Sequence, residues 1–301
     1  MNPASVFHMR SSSAIIGVAS AVIGVLALGP AAAAEISLHD DLDRAIVLKQ
    51  PAKRIVTLAP FLTELVFTAG AGERVVGVSA YSDYPPEAKK LPQVGTAVGV
   101  ALEQIAALAP DLVLAWRDSV RVEDIERLTR LGATVYVAQS RNFEDVPRNL
   151  TAIGELTGRD VSGAIAEYER RLAKLRRDNA GKRKVTAFLE IWNRPLTTIA
   201  GRHFINEALE ICGARNVFQD LDGVAPVVSW EAVYLRDPQV VVGMSSAAND
   251  AEFRANWQSR TALSAVKGGR LVFVDADRIQ RLTARTPEGI AALCDGIDRY
   301  R

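Results

Sequence analysis

The segment Ala101–Trp116, ALEQIAALAPDLVLAW, is shadowed position by position by Ser229–Met244, SWEAVYLRDPQVVVGM. Glu103 matches Glu231, Ile105 matches Val233, and Pro110 matches Pro238, each proline leading into a short apolar run. The correspondence extends upstream. FLTELVFTAGAGERVVGV (Phe61–Val78) resembles FINEALEICGARNVF (Phe204–Phe218), with Phe61, Glu64 and Gly70 opposite Phe204, Glu207 and Gly213. In both, apolar residues at helical spacing stop at a glycine suited to a left-handed helix cap. Downstream, LGATVYVAQ (Leu131–Gln139) is echoed by GGRLVFVDA (Gly268–Ala276), a glycine followed by a short β-branched run. Three matches in one order mean that the chain writes one supersecondary unit twice, as two lobes of similar build.

Each lobe alternates short apolar runs with helical patterns, which predicts α/β lobes with mainly parallel sheets. The predicted strands are RIVTLA, VVGVSA, LVLAW and TVYVA, then KVTAFLEI, LTTIA, VVVGM and RLVFVD. Between the lobes, good helix formers at 3.6-residue apolar spacing predict two helices, the second from about Asp160 to Asn179. The expected organisation is residues 35–142 for the first lobe, 143–183 for the linking helices and 184–301 for the second lobe. A single long helix joins the two.

Residues 1–34 read as a secretory signal peptide. One basic residue, Arg10, precedes an apolar stretch from Ala14 to Leu28, and Pro30 with Ala32 and Ala34 supplies an A-x-A cleavage pattern. An uncleaved membrane anchor is the alternative reading of that run. Cleavage near Ala34 would release a soluble protein into an exported compartment. Export permits a disulfide, and Cys212 and Cys294 are the two cysteines of the chain. Bonded, they pin the C-terminal helix onto the second lobe; two buried free thiols are the alternative.

The formal charge of +1 leaves no basic excess to recruit nucleic acid through its phosphates. VVVGMSSA approaches a nucleophile elbow, but Ala247 stands where G-x-S-x-G needs its second glycine, and no histidine follows Ser245. An exported hydrolase is therefore only a weak third reading. Beyond the leader the histidines are His39, in a strand-like segment, and His203, at a helix start; two are too few for a zinc or manganese site. In open parallel sheets, ligands sit beyond the carboxyl ends of the strands. Those positions include Trp116 and Arg117 from the first lobe and Trp192, Arg194, His203 and Asp277–Arg281 from the second. Aromatic faces mixed with guanidiniums suit a large, flat, partly polar molecule. Tyr84 is balanced between ligand contact and core, and Trp257, in an amphipathic helix, is expected in the core.

RIVTLAPFLTELVFTAGAGERVVGVSAYSDYPPEAKKLPQVG followed by LEQIAALAPDLVLAW resembles the periplasmic cobalamin-binding proteins of ABC importers, within the iron-chelate and cobalamin receptor superfamily. YSDYPP, DLVLAWR and the cysteines of LEICG and AALC are more particular to the cobalamin branch. The resemblance implies two α/β lobes bridged by a long helix, a periplasmic monomer that catalyses nothing, and cobalamin held in the cleft with its cobalt bound by the corrin. It implies ligand contacts from Tyr81, Trp116 and the loop Asp277, Arg278, Ile279, Gln280 and Arg281. It also implies docking of Glu103 and Glu231 onto the two copies of a membrane permease, which a twofold transporter requires in duplicate. Where the best-matched receptors carry tryptophans, this chain has Ala97, Ala225 and Arg278, and Trp192 is the compensating surface on the second lobe. A ferric siderophore or haem is the runner-up cargo, with Arg117, Arg194, Arg278 and Arg281 as counter-charges.

Overall fold

The β-branched runs become buried strands, and the repeat becomes two sheets with the same strand order. The structure is a computed structural model that describes Met1, Ala4 and residues 35–96 and 99–301. The rest of the signal-peptide segment and Ala97 lie outside the described residues. A hairpin of β1 (Ile36–His39) and β2 (Ala45–Leu48) comes first. It leads into β3 (Ile55–Thr57), α1 (Pro60–Thr68), β4 (Val75–Ser79), β5 (Gln93–Thr96) and β6 (Gly99–Val100). The first half continues with α2 (Leu102–Ala107), β7 (Leu112–Trp116), α3 (Val122–Arg130) and β8 (Thr134–Ala138). The sheet order is β6-β5-β4-β3-β7-β8, parallel except for the edge strand β6.

Two helices follow, α4 (Asp145–Thr157) and α5 (Ser162–Asn179). The second half comprises β9 (Val185–Glu190), the small hairpin β10 (Trp192–Asn193) and β11 (Leu196–Thr197), α6 (Ile205–Ile211), β12 (Ala214–Asn216) and α7 (Trp230–Arg236). It ends with β13 (Val240–Ser245), α8 (Asp250–Gln258), α9 (Ser264–Lys267), β14 (Leu271–Asp275), α10 (Ala276–Ile279) and α11 (Thr286–Asp298). Its sheet is β12-β9-β13-β14, all parallel. Setting β4 against β12, β3 against β9, β7 against β13 and β8 against β14 superposes the two orders. The duplicated helices end alike: Gly70 and Gly213 both take positive φ, +72° and +65°. So do Ala109 and Asp237, the non-glycine residues just before the matched prolines, at +43° and +35°.

One predicted strand needs correction. LTTIA does not enter the parallel sheet; Leu196 and Thr197 pair only with β10 in an antiparallel hairpin. The edge position is filled by β12, the ARN that follows Gly213. Three residues with one exposed arginine carry too little apolar pattern to announce a strand. Trp257 is fully enclosed, as its helix predicted.

One apolar core runs between the sheets and includes Ile55, Leu62 and Leu114, Val240 and Ile290, and Tyr168 and Leu172 of α5. Two smaller clusters cover the outer faces, one built on Val113, Leu128 and Val137, the other on Phe188, Phe253 and Trp257. Eighteen residues give α5 a length of about 27 Å at 1.5 Å per residue. It packs on α4, α6 and α11. Arg171 pairs with Glu288, and Arg176 with Glu207, at 3.1 and 2.6 Å. The Tyr168 hydroxyl donates to the Phe143 carbonyl at 3.0 Å, and Phe143 meets Phe204 edge-on. Cys212, which caps α6, is bonded to Cys294 in α11.

Candidate functional site

In each sheet the chain starts at an inner strand, builds outward on one side, then crosses back to the other. The reversal falls between β3 and β7 in the first sheet and between β9 and β13 in the second. A crevice opens at such a point because the two following connections leave in opposite directions. Both crevices are present. The first is the cleft cavity, about 520 Å³, which starts at Ala59, Pro60 and Phe61 after β3 and at Trp116 and Asp118 after β7. His203, Phe204, Ile199, Gln280 and Arg281 close it from the second lobe. The second cavity, about 300 Å³, lies at the ends of β9 and β13, between Glu190, Ser245, Trp192 and Asn256.

The predicted residues divide between these places. Trp116, His203, Gln280 and Arg281 line the cleft cavity. The Trp116 ring meets Phe61 edge-on, with centroids 6.0 Å apart. Trp192 and Arg194 line the second cavity, and the Trp192 side chain is largely exposed. Arg117 reaches the Gln139 side chain at 3.2 Å. Arg278 lies 3.7 Å from Asp275. Ile279 is fully enclosed in the core, because consecutive residues of the α10 turn point in different directions and its own points inward. Tyr81 is 77 % exposed on a backbone with φ +63°, so it is neither core nor part of the cavity wall. Tyr84 is also outside the core, lying 3.6 Å beneath the Arg285 guanidinium.

The electrostatics centre on a residue that lies within the repeat. Glu64 of α1 is 2 % exposed and is gripped from the other lobe. Its Oε1 accepts from Arg281 at 3.1 Å and Arg285 at 2.7 Å, and its Oε2 accepts from Arg285 at 2.9 Å. Arg281 also meets Asp83 at 2.7 Å and Asp277 at 2.8 Å. Burial pulls the Asp83 carboxyl up, but the Arg281 guanidinium holds it below its ordinary range. Asp277 goes the other way, raised by burial despite Arg281. Three carboxylates thus surround two guanidiniums. Arg285 and this network were not anticipated from sequence; the available signal was a glutamate on the apolar face of FLTELVF.

His203 is half-buried, and its Nδ1 accepts from the backbone N–H of Ile205 at 3.2 Å. Burial pushes its pKa down to about 4, so the ring is neutral at pH 7. In the second cavity, Glu190 is raised by burial, although Asn193 and the Trp257 indole donate to it at 3.1 and 2.6 Å. Ser245 accepts from Asn249 at 2.8 Å and has no basic partner among the described residues. Among those residues, no three His, Cys, Asp or Glu side chains are grouped to hold a metal ion. Glu103 and Glu231 occupy the same position, second in α2 and second in α7. Both are exposed, and neither has an ion pair among the described residues. The backbone N–H of Glu231 and the Ser229 side chain hold the Glu231 carboxyl below its ordinary range.

Residues 55–278 match the family model described as periplasmic binding protein. A vitamin B12-binding protein of Vibrio cholerae is 32% identical over 246 residues, 81% of this chain and 88% of the relative. One from Vibrio parahaemolyticus is 32% identical over 254 residues, 84% and 92% of the two chains. The crystal structure of the periplasmic vitamin B12-binding protein of Vibrio cholerae aligns with a TM-score of 0.74 at 32% identity, covering 83% of this chain and 98% of that one. A periplasmic heme-binding protein solved with two hemes aligns with a TM-score of 0.75 at 23% identity, covering 83% and 99%, and shares the fold.

Proposed function

The chain belongs to the periplasmic binding protein family, and from that membership we propose that it is the substrate-binding protein of an ABC importer for cobalamin or a related corrinoid. The observation that carries the cargo is 32% identity, over more than four fifths of the chain, to proteins named for vitamin B12 binding. The cleft supports the same reading. Its wall combines Trp116, Phe61 and Phe204 with few free charges, which suits stacking and apolar contact with a large conjugated ring. No bond of the ligand is made or broken: the protein captures, encloses and hands over. The lobes are residues 35–142 and 184–301, with 143–183 as the linker, and the cleavable leader delivers the protein to the periplasm as a monomer.

Tyr81, Trp116 and His203 contact the ligand in this reading, with Gln280 and Arg281 from the second lobe. Trp192 extends the surface toward the second cavity. The α5 helix, packed against both lobes, limits closure to a small hinge movement. Glu103 and Glu231 dock onto arginine-bearing surfaces of two permease copies, which explains a matched exposed pair better than the helix dipole alone. A ferric siderophore or haem is less well supported. Arg281 faces three carboxylates, and Arg194 lies in the other cavity, so neither stands free to neutralise an anionic chelate there.

Calorimetric titration with cyanocobalamin, beside haemin and a panel of ferric siderophores, tests the cargo. One-to-one corrinoid binding that outcompetes the iron chelates is the expected result. Binding of an iron chelate alone would keep the family and docking arguments and replace the ligand.

A further inference from the structure

We infer that the cleft reads a neutral hydrogen-bond acceptor on its ligand through two N–H donors, His203 Nε2 and Trp116 Nε1. This rests on the corrinoid reading and specifies how it is achieved. The His203 donor follows from its other nitrogen. Nδ1 accepts from the Ile205 N–H, so it must carry the lone pair, and the proton of the neutral ring sits on Nε2. Nε2 makes no hydrogen bond with any described residue, and the ring lines the cavity. Burial keeps the imidazole uncharged, with its pKa near 4. A neutral N–H suits an oxygen acceptor, but it is the wrong form for holding iron. Ligation through Nε2 would move the proton to Nδ1, setting two N–H groups against each other 3.2 Å apart.

Trp116 supplies the second donor independently. Its Nε1 is enclosed and has no acceptor among the described residues, and Trp116 lines the cavity, so a turn of the indole toward the ligand is what brings this donor into reach. A buried donor left unpaired costs folding free energy that a ligand oxygen would recover. The surrounding charges favour an uncharged oxygen. Arg281 is overmatched by Glu64, Asp83 and Asp277, and Arg141 pairs with Asp118, leaving Arg202 as the cavity arginine without an ion pair among the described residues. Primary amide carbonyls, which a corrinoid carries around its ring, have this chemistry; the carboxylates of haem do not.

The test is calorimetry on the purified protein and three variants, with cyanocobalamin and with dicyanocobinamide, which keeps ring amides and lacks the nucleotide phosphate. His203→Phe and Trp116→Phe, which keep an aromatic ring and remove the donor, should each weaken both ligands about tenfold. His203→Gln, which retains a donor, should stay within about threefold of wild type. Haemin titrated into wild type should leave its Soret band without the shift of imidazole ligation. Unchanged affinity in both phenylalanine variants, or losses confined to the phosphate-bearing ligand, would overturn the inference while leaving the cargo intact. A Soret shift abolished by His203→Phe would also overturn it. Failure of wild type to bind either corrinoid would remove the proposed cargo and the acceptor together, a result the wild-type arm reports by itself.

Discussion

His203 titrates far below an ordinary histidine because its ring is shut away from water, and that has a thermodynamic consequence. The unfolded chain takes up its proton near pH 6.5, whereas the folded chain does so only near pH 4. Between those values the unfolded state binds more protons, so the contribution of this residue to stability falls as the pH falls from 6.5 to 4. The whole effect is at most about 3 kcal/mol. Urea unfolding should show wild type losing up to about 3 kcal/mol relative to His203→Gln as the pH falls from 6.5 to 4, with the difference between the two constant above that window. Parallel curves would mean that His203 is open to solvent. Two aromatic positions differ in the same way. Trp116→Ala should weaken ligand binding by about 1–3 kcal/mol, because Trp116 is part of the cavity wall. Tyr81→Ala should have a comparable effect if its exposed ring folds onto bound ligand, and calorimetry separates the two residues.

The elements were readable in proportion to their apolar pattern. Strands β3, β7, β8, β9, β13 and β14 are nearly continuous buried runs, and each was visible as a β-branched stretch. The short strands β5, β6 and β12 were not, because they carry little apolar pattern and are held by backbone hydrogen bonds that any residue supplies. Helix ends were visible where a glycine must turn left-handed, at Gly70 and Gly213. The cysteines join two of these elements. The bond closes a loop across a sequence separation of 82 and clamps α6 to α11. In the chain-entropy account such a cross-link stabilises by about 4–5 kcal/mol. Paired Cys212→Ser and Cys294→Ser substitutions should lower the unfolding free energy by that order, with ligand affinity at 25 °C largely retained.

At the scale of the molecule, two interactions depend on both lobes. The buried pairing of Glu64 with Arg281 and Arg285 spans the cleft, with the guanidiniums only 14% and 16% exposed. Glu64→Ala leaves Arg285 without its carboxylate partner and Arg281 with two of its three, and should cost about 3–5 kcal/mol, measured by denaturant unfolding. Arg285→Met combined with Glu64→Leu should recover part of the loss, since Arg281 keeps Asp83 and Asp277 as partners and no guanidinium is left stranded. The second is docking. Glu103→Ala with Glu231→Ala should leave cyanocobalamin affinity unchanged and abolish uptake by the reconstituted importer; normal uptake would end the docking assignment.

The duplicated pattern alone determined that the chain makes two α/β units of one design, linked by helices, since periodicity and glycine stops act locally and are written twice. The same alignment sets Glu103 and Glu231 in register. Only the tertiary structure decided which strand-end residues meet. Trp116 and His203 are 87 positions apart in the chain yet line one cavity, whereas Ile279, beside Gln280, turns into the core. It also decided that Glu64 is buried against two arginines more than 200 residues away. Such pairings follow from how two lobes pack, and packing depends on complementary surfaces rather than on the period of either sequence.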